Sequence, residues 1–189
     1  DPLNRLQSVS WNMMDFGDSG NPILAAATVT YQYRTKSTES QLLDITQLSS
    51  VTTTGISTES YDYDAEHRIS SKTLTLTSRS SFPFVTDYIY DNLDRIVDLR
   101  YPAEYGNGTQ PRKVVHYSYD VASRLTSLSV DGAMHASNVV YNPDSRTTSI
   151  GVGAAGPNQI IESYNYDQQT GLLSSQTLAR SSTPTTKLL

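Results

Sequence analysis

Gly151-Val152-Gly153-Ala154-Ala155-Gly156 spells G-x-G-x-x-G, the wording of a nucleotide-binding loop. That chemistry needs a strand before the glycines and a helix after them, because the helix N-terminus holds the pyrophosphate. Pro157-Asn158 and a strand-like Ile160-Ile161 follow instead. The stretch therefore reads as a flexible loop. The histidines, His67, His116 and His135, show no ligand spacing, which argues against a metal site or a His-based dyad. No G-x-S-x-G occurs. Carboxylates are plentiful, but each falls in a turn, so no pair is set apart for acid–base work. Asn107-Gly108-Thr109 fits a glycosylation sequon, but reads rather as a plain turn. No catalytic, cofactor-binding or metal-binding residue is expected, and no cofactor.

A different spacing stands out. Asp64/Arg68, Asp91/Arg95, Asp120/Arg124 and Asp1/Arg5 each lie four apart, and Asn142/Arg146 keeps the Arg without the acid. Around a turn, this spacing lets a guanidinium reach back to a carboxylate. Such a pair, exposed, contributes about 0–1 kcal/mol. The plainer alternative makes the Asp a turn former and the Arg a solvated charge. The residue before each Arg is Asn4, His67, Asp94, Ser123 or Ser145. Asn, Asp and His best tolerate positive φ, so this position is expected in the left-handed region. Gly171 takes the role after one inserted residue.

These turns need strands to hold them. Tyrosines two apart precede each turn and share a strand face: Tyr61 and Tyr63, Tyr88 and Tyr90, Tyr117 and Tyr119, Tyr164 and Tyr166 before Asp167, with Tyr141 alone before Asn142. The figure recurs every roughly 22–29 residues, the range of repeat architectures. Tyrosine buries a large ring and keeps its hydroxyl at a wet edge. Stacked repeats would make the rings cross-strand neighbours. A sugar- or nucleotide-stacking role for the rings is the minor alternative.

Composition agrees. The chain has 189 residues, enough for one domain with a core, with 13 Tyr against 3 Phe and no Cys. Tyr, Val, Ile and Thr suit a half-wet pleated surface. A net charge of −5, with 14 scattered Lys and Arg, argues against nucleic acid. The longest apolar run, Ile23 to Ala27, is too short to span a membrane. Gly17 to Pro22 is dense in turn formers, so residues 12–24 read as a loop. Residues 25–35 read as a strand in which Arg34 replaces the expected Asp. Residues 36–50 suggest a short helix or an irregular strand, and residues 51–60 a Thr-rich strand or loop. Asn107-Gly108 and Asp131-Gly132 are turn pairs. The tail from Ser181 to Leu189 is expected to be frayed.

Tyr-x-Tyr-Asp, a turn ending in Gly or a substitute, then Arg-Leu, resembles the RHS/YD repeat. Tyr117 to Leu125 and Tyr88 to Ile96 match closely, Tyr61 to Ile69 well, and Tyr164 to Leu173 with an insertion. The resemblance implies a β-strip that spirals into a hollow shell. Family members include bacterial Rhs proteins, cocoon-forming subunits of insecticidal toxin complexes, wall-associated proteins and teneurins. The bacterial shells often enclose a C-terminal toxin. The family's self-cleaving Asp-Pro-x-Gly-type segment has no counterpart here.

The expectation is an all-β array of antiparallel hairpin repeats forming a curved or spiralling continuous sheet, residues 1–189 as one array. The repeats are clear over about 61–178, degenerate or loop-rich over 12–60, and part of a longer chain. Its expected function is shell wall around a toxin or other cargo, bacterial, secreted or at the cell surface. Its expected partners are the rest of its chain, or copies edge to edge. An extracellular adhesion or scaffold module, possibly glycan-binding, is the alternative.

Overall fold

The structure, a computed structural model, describes residues 3–11, 27–35, 46–104 and 111–187. It is all-β apart from single turns of 3-10 helix such as Thr77–Arg79. Two compact units divide it: Asp1–Tyr88 with Tyr101–Arg112, and Ile89–Arg100 with Lys113–Leu189.

The first unit contains β1 (Ser8–Trp11), β2 (Ala27–Tyr33), β3 (Leu48–Thr53), β4 (Ser57–Tyr63), β5 (Ile69–Leu76) and most of β6 (Phe84–Tyr90). Each strand pairs antiparallel with the next in the chain. Alternation along the strands gives the sheet two unlike faces. One carries the row Ser8, Thr30, Thr52, Thr58 and Thr75, a hydroxyl on each of five neighbouring strands. Thr52 and Thr58 are within hydrogen-bond distance at 3.2 Å. The other carries Tyr31, Val51, Glu59, Leu74 and Phe84. Leu74 and Leu76 alternate with Thr73 and Thr75 along β5, and Thr77 begins the 3-10 turn. Residues 51–60 are strand on both sides of a turn at Gly55, φ 74°.

The second unit contains β7 (Ile96–Arg100), β8 (Val114–Tyr119), β9 (Leu125–Val130), β10 (Ala133–Tyr141), β11 (Thr147–Val152), β12 (Ile160–Tyr166), β13 (Leu173–Arg180) and β14 (Thr183–Lys187). Again neighbours in the chain pair antiparallel. Asp131 and Gly132, φ 49° and 81°, form the tight β9–β10 turn expected of that pair. Both faces stay half-exposed. Val115, at 7 % exposure, is the one buried apolar side chain among the described residues.

Two expectations change. The tail expected to fray contains β14, paired to β13 at Arg180 and Thr183. Gly151 lies inside β11 rather than in a flexible loop. A Cβ there would stand 2.5 Å from the Gln159 Nε2 and 2.9 Å from the Ser137 carbonyl oxygen. Leu48 opens β3, while Leu42, Leu43 and Ile45 lie outside the described residues. So do the loop over 12–24, Asn107-Gly108 and Asp1.

Candidate functional site

The repeated turn is the local structure that recurs along the described residues. In the Asp64 turn the Asp64 amide donates to the Arg68 carbonyl at 2.9 Å, and the His67 amide to the Asp64 carbonyl at 3.1 Å. Asn4, His67, Asp94, Ser123 and Ser145 all have φ between 57° and 66°, and Gly171 has 69°. A residue with positive φ adds one position to its strand, which the sheet absorbs as a bulge. The register shifts next to Tyr63, Tyr119, Tyr141 and Tyr166 are that bulge, and a register shift also lies next to Tyr33.

The Asp organises the turn. Asp64 Oδ1 accepts the Glu66 amide at 3.1 Å and the Arg68 amide at 2.8 Å, while Oδ2 accepts Arg68 Nε at 2.8 Å. Asp91 holds the Leu93 and Arg95 amides and the Arg95 side chain in the same way. Asp120 does so for Ala122 and Arg124. Turn former and ion pair are thus two ends of one carboxylate. Partial burial pushes the Asp64 carboxyl up, but donors from Arg68 and Glu66 outweigh it and hold it below the ordinary value. The Arg95 side chain lowers Asp91, and the Arg124 amide lowers Asp120.

The turns that carry Arg5, Arg95, Arg124 and Arg146 are then clasped to the next repeat. The Arg5 guanidinium lies 4.4 Å from the Tyr33 ring centre, Arg95 4.7 Å from Tyr119, Arg124 4.7 Å from Tyr141 and Arg146 5.5 Å from Tyr166. These are cation–π distances. The same rings donate their hydroxyls to the carbonyl after the preceding repeat's turn. Tyr33 reaches Leu6 at 3.0 Å, Tyr63 reaches Leu48 at 2.8 Å, and Tyr119 reaches Ile96 at 2.8 Å. Tyr141 reaches Leu125 at 2.8 Å, and Tyr166 reaches Thr147 at 2.9 Å. Tyrosine fits because one side chain covers a cation with its face and satisfies a carbonyl with its tip.

The first tyrosine of each pair behaves differently. Tyr61 donates to Glu59 at 2.7 Å, and Lys72 reaches the same carboxylate at 3.3 Å. Burial, then Glu59, pushes the Tyr61 hydroxyl up to about 12. Tyr88 and Tyr90 lie in β6, Tyr117 faces Leu128 on β9, and Tyr164 faces Gln176 on β13.

Two repeats depart from the pattern. At Arg34 the charge has moved across the turn. The Arg34 amide donates to the Gln47 carbonyl at 2.9 Å, as Asp64 does to Arg68, and Arg34 Nη1 donates to Gln47 Oε1 at 2.9 Å. Arg34 still lies 5.4 Å from the Tyr63 ring centre. Gln47 Nε2 donates to the His67 carbonyl of the next turn, as Arg146 Nη1 does to the Gly171 carbonyl. The repeat is swapped rather than lost. Gln47-Leu48 stands where Arg68-Ile69 does. At Asn142, Oδ1 accepts the Arg146 amide at 2.9 Å, but the carboxylate is gone.

Other polar residues carry no motif at all. Arg112 donates to Asp87 at 2.6 Å, to the Tyr101 carbonyl at 2.8 Å and to the Val85 carbonyl at 2.7 Å. Gln159, buried at 6 % exposure, donates to Ser137 at 2.7 Å and to the Gly153 carbonyl at 3.1 Å. His116 meets Asp98 at 2.7 Å on a wet face. No cluster of three or more His, Cys, Asp or Glu able to hold a metal occurs among the described residues, and no helix among them is long and apolar enough to cross a membrane.

No protein-family model matches the chain, and no curated protein matches it. Solved structures do match. Against the crystal structure of TcdB2-TccC3-Cdc42 the TM-score is 0.62 at 13 % identity, over 86 % of this chain and 10 % of that one. Against TcdB2-TccC3 without its hypervariable C-terminal region it is 0.60 at 13 % identity, over 92 % and 10 %. Against TcdB2-TccC3-TEV it is 0.60 at 14 % identity, over 94 % and 10 %. The chain spans about a tenth of the length of those chains, and what it is shown to share with them is the fold.

Proposed function

We propose that this chain is a stretch of RHS/YD-repeat wall, a structural rather than catalytic element of a β-shell that encloses or presents a toxin or other cargo. One observation carries the reading. The Tyr–Arg–carbonyl clasp recurs from turn to turn with the same atoms, even where Arg34 and Gln47 exchange places. A binding site is built once. A device that joins each hairpin to the next, in a sheet with almost no buried core, is built to extend. The fold shared with TcdB2-TccC3 supports the same reading. On it, the partners are further repeats of the parent chain or copies meeting edge to edge, and the setting is a bacterial exterior.

The test uses the full-length protein that carries this segment. Electron cryomicroscopy is expected to show a hollow particle with the clasps in its wall. Limited proteolysis is expected to spare an enclosed segment until the shell is unfolded. A solid rod, or a cargo segment cut equally fast in native and denatured protein, would sink the shell in favour of the adhesion module.

A further inference from the structure

The ladder loses an acid at Asn142 and a base at the following turn, where Leu172 closes the loop from Asp167. Both losses border one open polar hollow of about 360 Å³, lined by Asn142, Asp144, Arg146, Tyr166, Asp167 and Thr170 among others. In the Asp120 turn, Arg124 Nε and Nη2 both hold the carboxylate, each at 2.8 Å. Arg146 is fixed differently. Its Nη1 donates to the Gly171 carbonyl, and its plane lies over Tyr166. Its Nε and Nη2, the edge that grips a carboxylate elsewhere, hold no acid among the described residues. Asp167 is the complement. Its Oδ1 takes the Gln169 amide and the Thr170 amide and hydroxyl, while its Oδ2 accepts nothing among the described residues. Asp144 is exposed at the same rim.

We propose that this hollow binds a small zwitterion of the α-amino acid class, its carboxylate on Arg146 and its ammonium on Asp167 and Asp144. The argument is one of charge and preorganisation. A simple anion would meet Arg146 but also two carboxylates, and a simple cation the reverse. A ligand bearing both charges satisfies both sides. Arg146 is already oriented, so little freedom is lost on binding, and its planar fork suits a carboxylate. The volume lies at the small end of ligand sites. This inference is independent of the wall reading.

Glycine, acetate and methylamine are the probes, titrated against the chain by ligand-observed NMR. Glycine is expected to bind at least tenfold more tightly than either single-charge probe. Arg146→Gln is expected to abolish the difference. Asn142→Asp is the sharper variant, because it restores the carboxylate found in the other turns. It is expected to keep the circular dichroism and thermal melt of the native chain while glycine binding falls at least tenfold. Acetate binding as tightly as glycine, glycine binding unchanged in Asn142→Asp, or no glycine binding at all would each overturn the proposal.

Discussion

A tyrosine hydroxyl in this chain does one of two jobs, and the two should differ in energy. Tyr119 donates to the Ile96 main-chain carbonyl, so its loss leaves a part-buried acceptor without that partner. Tyr61 donates to Glu59, which keeps Lys72 when the hydroxyl goes. A typical hydrogen bond contributes about 1 kcal/mol, and an acceptor left unsatisfied raises the cost of losing it. Tyr119→Phe is therefore expected to lower the unfolding free energy by about 1 kcal/mol, and Tyr61→Phe by less. Urea melts of the two variants measure this. Equal losses, or a larger loss at Tyr61, would mean that ring burial rather than the carbonyl clasp decides.

The element that repeats is the turn, and its backbone was legible in the sequence because its demands are local. A left-handed residue before Arg selects Asn, Asp, His, Ser or Gly within a few positions of an Asp, and that is a pattern the eye can find. The clasp to the next repeat was not legible in its details. Which carbonyl each hydroxyl meets depends on a bulge that shifts the register by one residue. Gln159 and Arg112 were invisible for another reason. Their partners Ser137 and Asp87 lie 22 and 25 residues away, with no periodicity to tie them together. Gly171 combines both kinds of constraint. Its φ of 69° disfavours a side chain, and a Cβ would stand 2.6 Å from two nitrogens of Arg146. Gly171→Ala is expected to cost about 1–3 kcal/mol, whereas Ser123→Gly, at φ 62°, should stay within about 1 kcal/mol of the native chain. Chemical denaturation of both variants checks the contrast. Similar losses would indicate that neither the backbone conformation nor the guanidinium contact matters at Gly171.

At the scale of the whole molecule, repetition turns small local effects into a pH profile. Asp64, Asp91, Asp120 and Asp167 are all held below the ordinary Asp value of 3.8. A carboxyl with a depressed value in the folded state releases its proton more readily there than in the unfolded chain. Its stabilising contribution is therefore fully present above 3.8 and is lost as pH falls through the lower folded value. Tyrosine acts on the opposite side. Burial and Glu59 raise Tyr61 from 10 to about 12, and burial also raises Tyr63 and Tyr164. These hydroxyls stay protonated in the fold after they have ionised in the unfolded chain. Their contribution is complete below pH 10 and drains away as pH climbs through the raised folded values, about 12 for Tyr61. The melting temperature should accordingly show a broad plateau with an acid fall starting near pH 4 and an alkaline fall starting near pH 10. Asp120→Asn should flatten the acid limb alone, since Asn142 shows that an amide still accepts the turn's amide proton. Tyr61→Phe should flatten the alkaline limb alone. Thermal melts by circular dichroism across this range provide the measurement. If Asp120→Asn leaves the acid limb as steep as in the native chain, the turn carboxylates are not what holds the repeats together at low pH.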